Sequence, residues 1–157
     1  MGGLCVSGPP TSFRRMFPAV LSAGEASTLQ IGRQSFGHPL VARCVEWMQT
    51  IALDASIEEP AYTRVERKVD GHDWHRDIGD SNHMPWCVYS GSVLLTPPEG
   101  FEGGWFEFRD PHARHKHYLD LLAYTSDNWH RVTSHEGERR VLLIFLGRSN
   151  GIRSRHL

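Results

Sequence analysis

The feature that most narrows what this chain can fold into is a change of texture at Glu59-Pro60. After it come short runs rich in β-branched and aromatic residues, split by Gly, Pro, Asp and Asn, which is how an all-β sandwich or barrel reads. Strands are predicted over 61–69, 74–76, 86–96, 104–108, 118–124, 129–133 and 139–147, with turns at Asp70-Gly71, Pro97-Pro98-Glu99-Gly100 and Gly103-Gly104. Before the boundary, Leu40, Val41, Cys44, Val45, Met48 and Ile51 recur at steps of three and four, and Pro39 suits a first helical turn. A helix is predicted from Pro39 to Ala52. A shorter one is expected between Phe17 and Leu29, around Ala19–Leu21 and Glu25–Leu29, where Ser and Gly interrupt the pattern. Some seven strands behind one or two N-terminal helices give a mainly β fold, a double-stranded β-helix (jelly roll) with a helical buttress.

The 157 residues suit one domain: a lead over 1–12, helical support over 13–58, a jelly-roll core over 59–148 and a tail over 149–157. Lys plus Arg (17) nearly cancels Asp plus Glu (18), so no global field draws the chain to nucleic acid. No apolar run approaches the ~18 residues of a membrane span. Cys5, Cys44 and Cys87 are odd in number and far apart, which makes neither a disulfide framework nor a C-x-x-C pair, and a reducing, cytoplasmic setting is expected. The start, Met1-Gly2-Gly3-Leu4-Cys5-Val6, has Val6 where an acylation signal wants Ser or Thr. Nothing in the sequence demands an oligomer.

Ten histidines are the first sign of chemistry rather than packing. In Trp74-His75-Arg76-Asp77, residues two apart on a strand face one side, so His75 and Asp77 can offer an imidazole and a carboxylate to one point. Alone the pair means little, since about one His-x-Asp/Glu is expected by chance in such a composition. A second block raises it: His130 supplies a third ligand, and Arg139 follows nine residues later at the start of an apolar strand. Two imidazoles and one carboxylate on one face of a metal form the facial triad that leaves positions open on Fe(II).

Taken together these residues resemble the Fe(II)/2-oxoglutarate-dependent dioxygenases, and within them the compact prolyl-hydroxylase-like branch. The resemblance covers about residues 62–147. It rests on His75-x-Asp77, the strand ending Leu94-Leu95-Thr96, the Gly-Gly-Trp-x-x-Phe segment from Gly103 to Phe108, the strand Leu121-Leu122-Ala123-Tyr124-Thr125-Ser126 leading to His130, and Gly137-x-Arg139. It implies that His75, Asp77 and His130 bind Fe(II), and that Arg139 grips the distal carboxylate of 2-oxoglutarate with the bidentate fork a lysine lacks. The implied reaction consumes O2 and 2-oxoglutarate, releases succinate and CO2, and hydroxylates an unactivated C–H of an amino acid, a peptide residue or a small metabolite. Asp77 stands where halogenating relatives keep a small residue, which favours hydroxylation. Arg140 adjoins Arg139, and either can be the 2-oxoglutarate cation; the Gly-x-Arg context favours Arg139. Where some relatives place a cosubstrate tyrosine this chain has Leu94, with Ser90 and Ser92 on the same strand as stand-ins. Nucleic-acid dealkylating relatives carry a second arginine six residues after the first, where Phe145 or Leu146 stands here. The rival reading is a cupin-like jelly roll that binds a metal or ligand without redox chemistry and has no need of Arg139.

The other singled-out histidines, His72, His83, His112, His115, His117, His135 and His156, are expected in loops and at the surface. Trp74 and Trp129 directly precede the ligands and are expected to point away from the metal, with Arg76 and Arg131 outward or at the rim. Trp105 and Phe108 are read as packing, the run 141–146 as core, and Asp77–Pro85 as a loop able to cover a substrate.

Overall fold

Fourteen residues of amphipathic helix and a long, two-faced sheet dominate the architecture. The computed structural model describes residues 14–52, 60–78 and 84–147. In chain order the elements are β1 (Arg14–Phe17), α1 (Ala23–Ala26), β2 (Gly32–Arg33), α2 (Pro39–Ala52), β3 (Pro60–Lys68), β4 (His72–His75), β5 (Cys87–Leu94), β6 (Glu102–Gly103), β7 (Phe106–Phe108), β8 (Ala113–His115), β9 (Leu121–Thr125), β10 (His130–Val132), β11 (His135–Glu136) and β12 (Arg139–Gly147). A six-stranded sheet runs β1-β9-β5-β12-β3-β2, a four-stranded sheet runs β4-β10-β7-β8, and β11 pairs with β6. All of these pairings are antiparallel.

Helix α2 starts where expected, because proline needs no hydrogen-bond acceptor in the first turn and His38 Nδ1 accepts from the Leu40 amide at 3.2 Å. Ser22 and Glu25 close a capping box around α1, which is why a helical turn begins there despite its glycine. The buried stripe of α2, Leu40, Val41, Cys44, Val45 and Met48, covers the outer face of the large sheet, where Val65, Tyr89, Val93, Leu121, Ala123, Leu142, Ile144 and Leu146 pack against it. Gly91 on β5 allows this approach: a Cβ there would stand 2.7 Å from Met48 Sδ. Strand alternation sends the intervening residues the other way, into the space between the two sheets, where Leu122 and Tyr124 meet Phe106 and Phe108. The inner face of β12 likewise presents Arg139, Val141, Leu143 and Phe145 to a cavity between the sheets.

Several elements differ from the sequence reading. Strand β1 lies within a stretch given no strand, and pairs with the edge of β9 through Arg14↔Tyr124 to Phe17↔Leu121. The two-residue β2, β6 and β11 and the three-residue β8 are too short to leave a period in sequence. The strand expected over 74–76 runs from His72 to His75 instead, and the shorter helix occupies Ala23–Ala26, overlapping its second expected segment only at Glu25 and Ala26. Half of the run 141–146 faces the cavity rather than the core. The lead and tail expected at the chain ends, Cys5, His83, His156, and the middle of the Asp77–Pro85 loop lie outside the described residues. Among the described residues, no helix is long and apolar enough to cross a membrane.

Candidate metal centre

His130 on β10 pairs in register with His75 on β4, which sets two imidazoles side by side on the inner face of the small sheet. Asp77 lies just beyond β4 rather than on it. Its amide donates to the Ser126 carbonyl at 3.0 Å, and that bond bends the chain so the carboxylate comes under both rings. Asp77 Oδ1 is 3.5 Å from His75 Nε2 and 3.4 Å from His130 Nε2, and one ligand atom from each residue lies within 4.8 Å of the others. His75 Nδ1 donates to the Asp73 carbonyl at 2.7 Å and His130 Nδ1 to the Asn128 carbonyl at 2.8 Å. With each Nδ1 carrying the proton, each Nε2 lone pair is free and aimed at the shared point, the arrangement that outer-sphere partners impose on metal-binding histidines. The donor set of two nitrogens and one oxygen on one side, with the rest of the sphere open to a cavity, suits a divalent ion such as Fe(II).

The surroundings hold these groups stiffly. His130 is 3 % exposed, its ring stacked on Phe106 at 5.3 Å and 7° and beside Tyr124 at 4.9 Å. Asp77 is 4 % exposed. Burial opposes its charge, but the His130 and His75 rings beside it and the Ser90 hydroxyl outweigh that and keep the carboxyl well below the ordinary carboxylate range. Burial also pulls His75 down, yet Asp77 and the Asp73 carbonyl outweigh it, so its pKa is raised above 6.5.

The second pole of the cavity is Arg139. It is 5 % exposed and faces inward, while Arg140, its neighbour on β12, points to the opposite face and donates to the Leu29 carbonyl at 2.9 Å. Arg139 Nε is buried without a hydrogen-bond partner, and no carboxylate among the described residues closes an ion pair on this side chain. Desolvation pulls its pKa down to about 10, with Tyr124 and Glu66 the nearest groups favouring the charge. A buried guanidinium left in this state calls for an anionic ligand. The residues present therefore suit both a divalent metal and a carboxylate held opposite it, in one cavity of about 940 Å³.

The serines named as cosubstrate contacts divide. Ser92 lines the cavity, whereas the Ser90 hydroxyl donates to Asp77 Oδ2 at 2.6 Å and so supports the metal carboxylate. A residue the sequence reading passed over stands beside it: Tyr124, directly across from Ser90, is fully buried with its hydroxyl against Asp77 and Ser90 and lines the cavity. The signal that finds it is alternation, since Leu121 and Ala123 face the helix and Tyr124 must face inward.

Other expectations need correction. His72 is in β4, not a loop: the register slips between His130↔His75 and Val132↔His72, and this bulge turns His72 to the same side as His75, stacked on it at 3.9 Å. His135 is buried at 7 %, its ring nitrogens facing the carbonyls of Gly137 at 2.9 Å and Asp70 at 2.8 Å. His115 is on β8 with its ring against Phe108, while His112 and His117 are exposed as expected. Trp74 stacks under Arg131, and Trp129 under Arg76 and Arg109, both at the cavity rim. Trp105 is half-buried under Arg114 and Lys116, and Phe108 is core.

Fold and site together define a jelly roll with a two-histidine, one-carboxylate centre facing a buried arginine. No family model and no curated protein matches the sequence. Solved structures do match in fold. A 2OG-Fe(II) oxygenase family oxidoreductase from Burkholderia pseudomallei superposes with a TM-score of 0.68 at 16% identity, over 88% of this chain and 85% of that one. A prolyl-4-hydroxylase from Pseudomonas putida gives 0.67 at 15% identity, over 88% and 87%. The viral collagen prolyl hydroxylase of Paramecium Bursaria Chlorella virus-1, solved as its 2OG complex, gives 0.67 at 14% identity, over 87% and 96%. The chain thus has the fold of the 2OG-Fe(II) oxygenases, prolyl hydroxylases among them, as its sequence motifs imply.

Proposed function

We propose that this protein is an Fe(II)- and 2-oxoglutarate-dependent oxygenase that hydroxylates an unactivated C–H bond. The observation that carries the proposal is the pairing, in one cavity, of three converging metal donors with a buried arginine whose Nε has no hydrogen-bond partner among the described residues. Ferrous ion chelated by 2-oxoglutarate supplies, when bound, the oxidative decarboxylation that turns O2 into a hydroxylating oxidant with succinate and CO2 as co-products. The chain's own part is positioning and shielding. His75 and His130 present neutral Nε2 atoms because backbone carbonyls hold their Nδ1 protons. Asp77 stays ionised and is fixed in rotation by Ser90. Arg139 receives the distal carboxylate with its fork of donors, and Ser92 and Tyr124 line the space between. Phe106, Val141 and Leu143 line the cavity and keep water from the reacting atoms. The non-redox alternative leaves a buried cation without a purpose.

Anaerobic titration with Fe(II) followed by 2-oxoglutarate tests this. The expected result is a weak visible metal-to-ligand band, slow succinate formation once air is admitted, and loss of metal affinity in His130→Ala. No band and no succinate, or unchanged metal affinity in the variant, refutes the assignment.

A further inference from the structure

A second basic site lies at the outer edge of the same cavity, on β2 and β3. Antiparallel pairing sets Arg33 directly opposite Arg64, and residues so placed share one face of the sheet. Like charges in that relation repel. Among the described residues no carboxylate pairs with Arg33. Arg64 has only Glu66, 3.6 Å from its Nε, and that carboxylate sits closer to Lys68, at 3.1 Å. Arg33, Arg64 and Lys68 therefore have, between them, Glu66 as their one ion-pairing carboxylate among the described residues. Both arginines neighbour one aromatic side chain: the Arg33 guanidinium lies 5.5 Å over the Tyr62 ring and Arg64 is beside the Tyr62 hydroxyl, while Tyr62 stacks on Phe145 at 6.2 Å and 18°. Tyr62, Arg64 and Phe145 all line the cavity.

Register fixes where this site stands relative to the metal centre. Tyr62 pairs with Phe145, and Phe145 with Ser90, the residue that holds Asp77. Two interstrand spacings of ~4.8 Å put Tyr62 about 10 Å from Ser90 along the same row. Arg139 is a different site, six residues down β12 and buried.

We propose that Arg33 and Arg64 are a substrate anchor, so that the substrate is acidic and carries its anionic group remote from the carbon presented to the metal: Arg64 pairs with Leu143 and Leu143 with Ser92, two interstrand spacings of ~4.8 Å, with Arg33 one strand further out. The reacting carbon in this statement rests on the oxygenase reading above; the anion site does not. The carboxylate of a free amino acid lies only a few bonds from its own side chain and falls short. An acidic residue several positions along an extended peptide reaches that far, at ~3.3 Å per residue, and so does the far carboxylate of an elongated metabolite.

The test uses the full chain loaded with Zn(II) and 2-oxoglutarate, with sulfate as the probe and arginine Nε–Hε resonances as the readout. Saturable, joint shifts of Arg33 and Arg64 are expected, lost in Arg33→Gln/Arg64→Gln. Absent or non-saturating shifts, or shifts that survive the double substitution, overturn the proposal. With Fe(II), acetylated peptides bearing one Asp at varied distance and α,ω-dicarboxylates of increasing length separate the two sources: whichever class stimulates succinate release should show a KM at least tenfold higher in the double variant with kcat little changed. Stimulation equalled by the Asn or diamide counterparts counts against the anchor. Failure of the underlying reading looks different: the Arg139 resonance does not move when 2-oxoglutarate is added.

Discussion

Replacing Arg139 by methionine should make the ligand-free protein more stable while removing its capacity to be stabilised by 2-oxoglutarate. The guanidinium's pKa falls from 12.5 to about 10 on burial. A folded value below the unfolded one means that the charge costs stability throughout the range below about pH 10 and ceases to cost it only above. At about 1.4 kcal/mol per pH unit the drop corresponds to about 3 kcal/mol. The open cavity lets water reach part of the group, so a net gain of about 1–3 kcal/mol is expected for methionine, which keeps the length and packs against Val141 and Tyr124. For a chain of this size that is a rise of roughly 5 °C in Tm. Measured in EDTA by urea unfolding, the variant should be the more stable protein. Measured with Mn(II) and 2-oxoglutarate at a hundred times its Kd, the parent should gain about 2.7 kcal/mol and the variant nothing, so the order narrows or reverses. A variant that is less stable in EDTA, or that responds to 2-oxoglutarate as the parent does, refutes the reasoning, because Arg139 would then have a partner within the protein or the carboxylate would bind elsewhere.

Ser90→Ala removes the bond to Asp77 Oδ2, and Mn(II) affinity measured by calorimetry should fall roughly 10- to 100-fold, as for other outer-sphere partners of metal ligands; an unchanged Kd counts against the role given to Ser90. Metal affinity should also fall with acid. Binding needs neutral His75, whose pKa is raised above 6.5, so proton competition begins above pH 6.5 and apparent affinity drops up to tenfold per pH unit below that point; a flat profile from pH 8 to 5.5 speaks against His75 as a ligand. In the metal-free protein, the His75 contribution to stability is present at low pH and lost as pH rises through its folded pKa. The Asp77 contribution is present above the ordinary carboxylate range and lost as pH falls toward its depressed value. Gly91→Ala drives a methyl to 2.7 Å from Met48 Sδ and should cost about 1–3 kcal/mol in urea unfolding, with Met48→Ala in the same chain costing less than the two changes summed; strict additivity means that the contact does not set the helix-to-sheet distance.

What could be read from the sequence was whatever has a long period or a fixed spacing. Helix α2 and strands β3, β5 and β12 run eight to fourteen residues, long enough for a 3.6 or 2.0 repeat to be counted. The His75, Asp77 and His130 convergence was legible because His-x-Asp and the later histidine are types with few bland reasons to recur together. Strand alternation allowed only one of Arg139 and Arg140 to face inward, and the Gly-x-Arg context pointed to Arg139, which the fold turns into the cavity. What escaped depends on pairing partners that no local window contains. Strand β1 exists because β9 offers it an edge. His72 joins its neighbour His75 only through a bulge opposite β10. Ser90 leaves the cosubstrate side because Asp77, thirteen residues earlier, reaches it across the fold.

On the proposed reading, the same reasoning explains why the residues for metal and for anion come from different sheets. The small sheet brings His75 and His130 together by a single cross-strand pair, which fixes their separation to within the tolerance of one hydrogen-bonded ladder. A carboxylate cosubstrate needs its cation at a distance set by its own length, and a second residue of the same short strands would stand too close. Strand β12 solves this: it is nine residues long, central in the large sheet, and its first residue is Arg139. From there the side chain reaches into the cavity from the far end, while Phe145, six residues on, shares a row with Ser90 and hence with Asp77. Sheet spacing and strand rise therefore set the distance between the poles, and side-chain flexibility does not. A shift of one residue in the β12–β5 register would exchange Arg139 for Arg140 and turn the cavity wall into a core face, so the chemistry of this site is tied to the pairing that also builds the hydrophobic core.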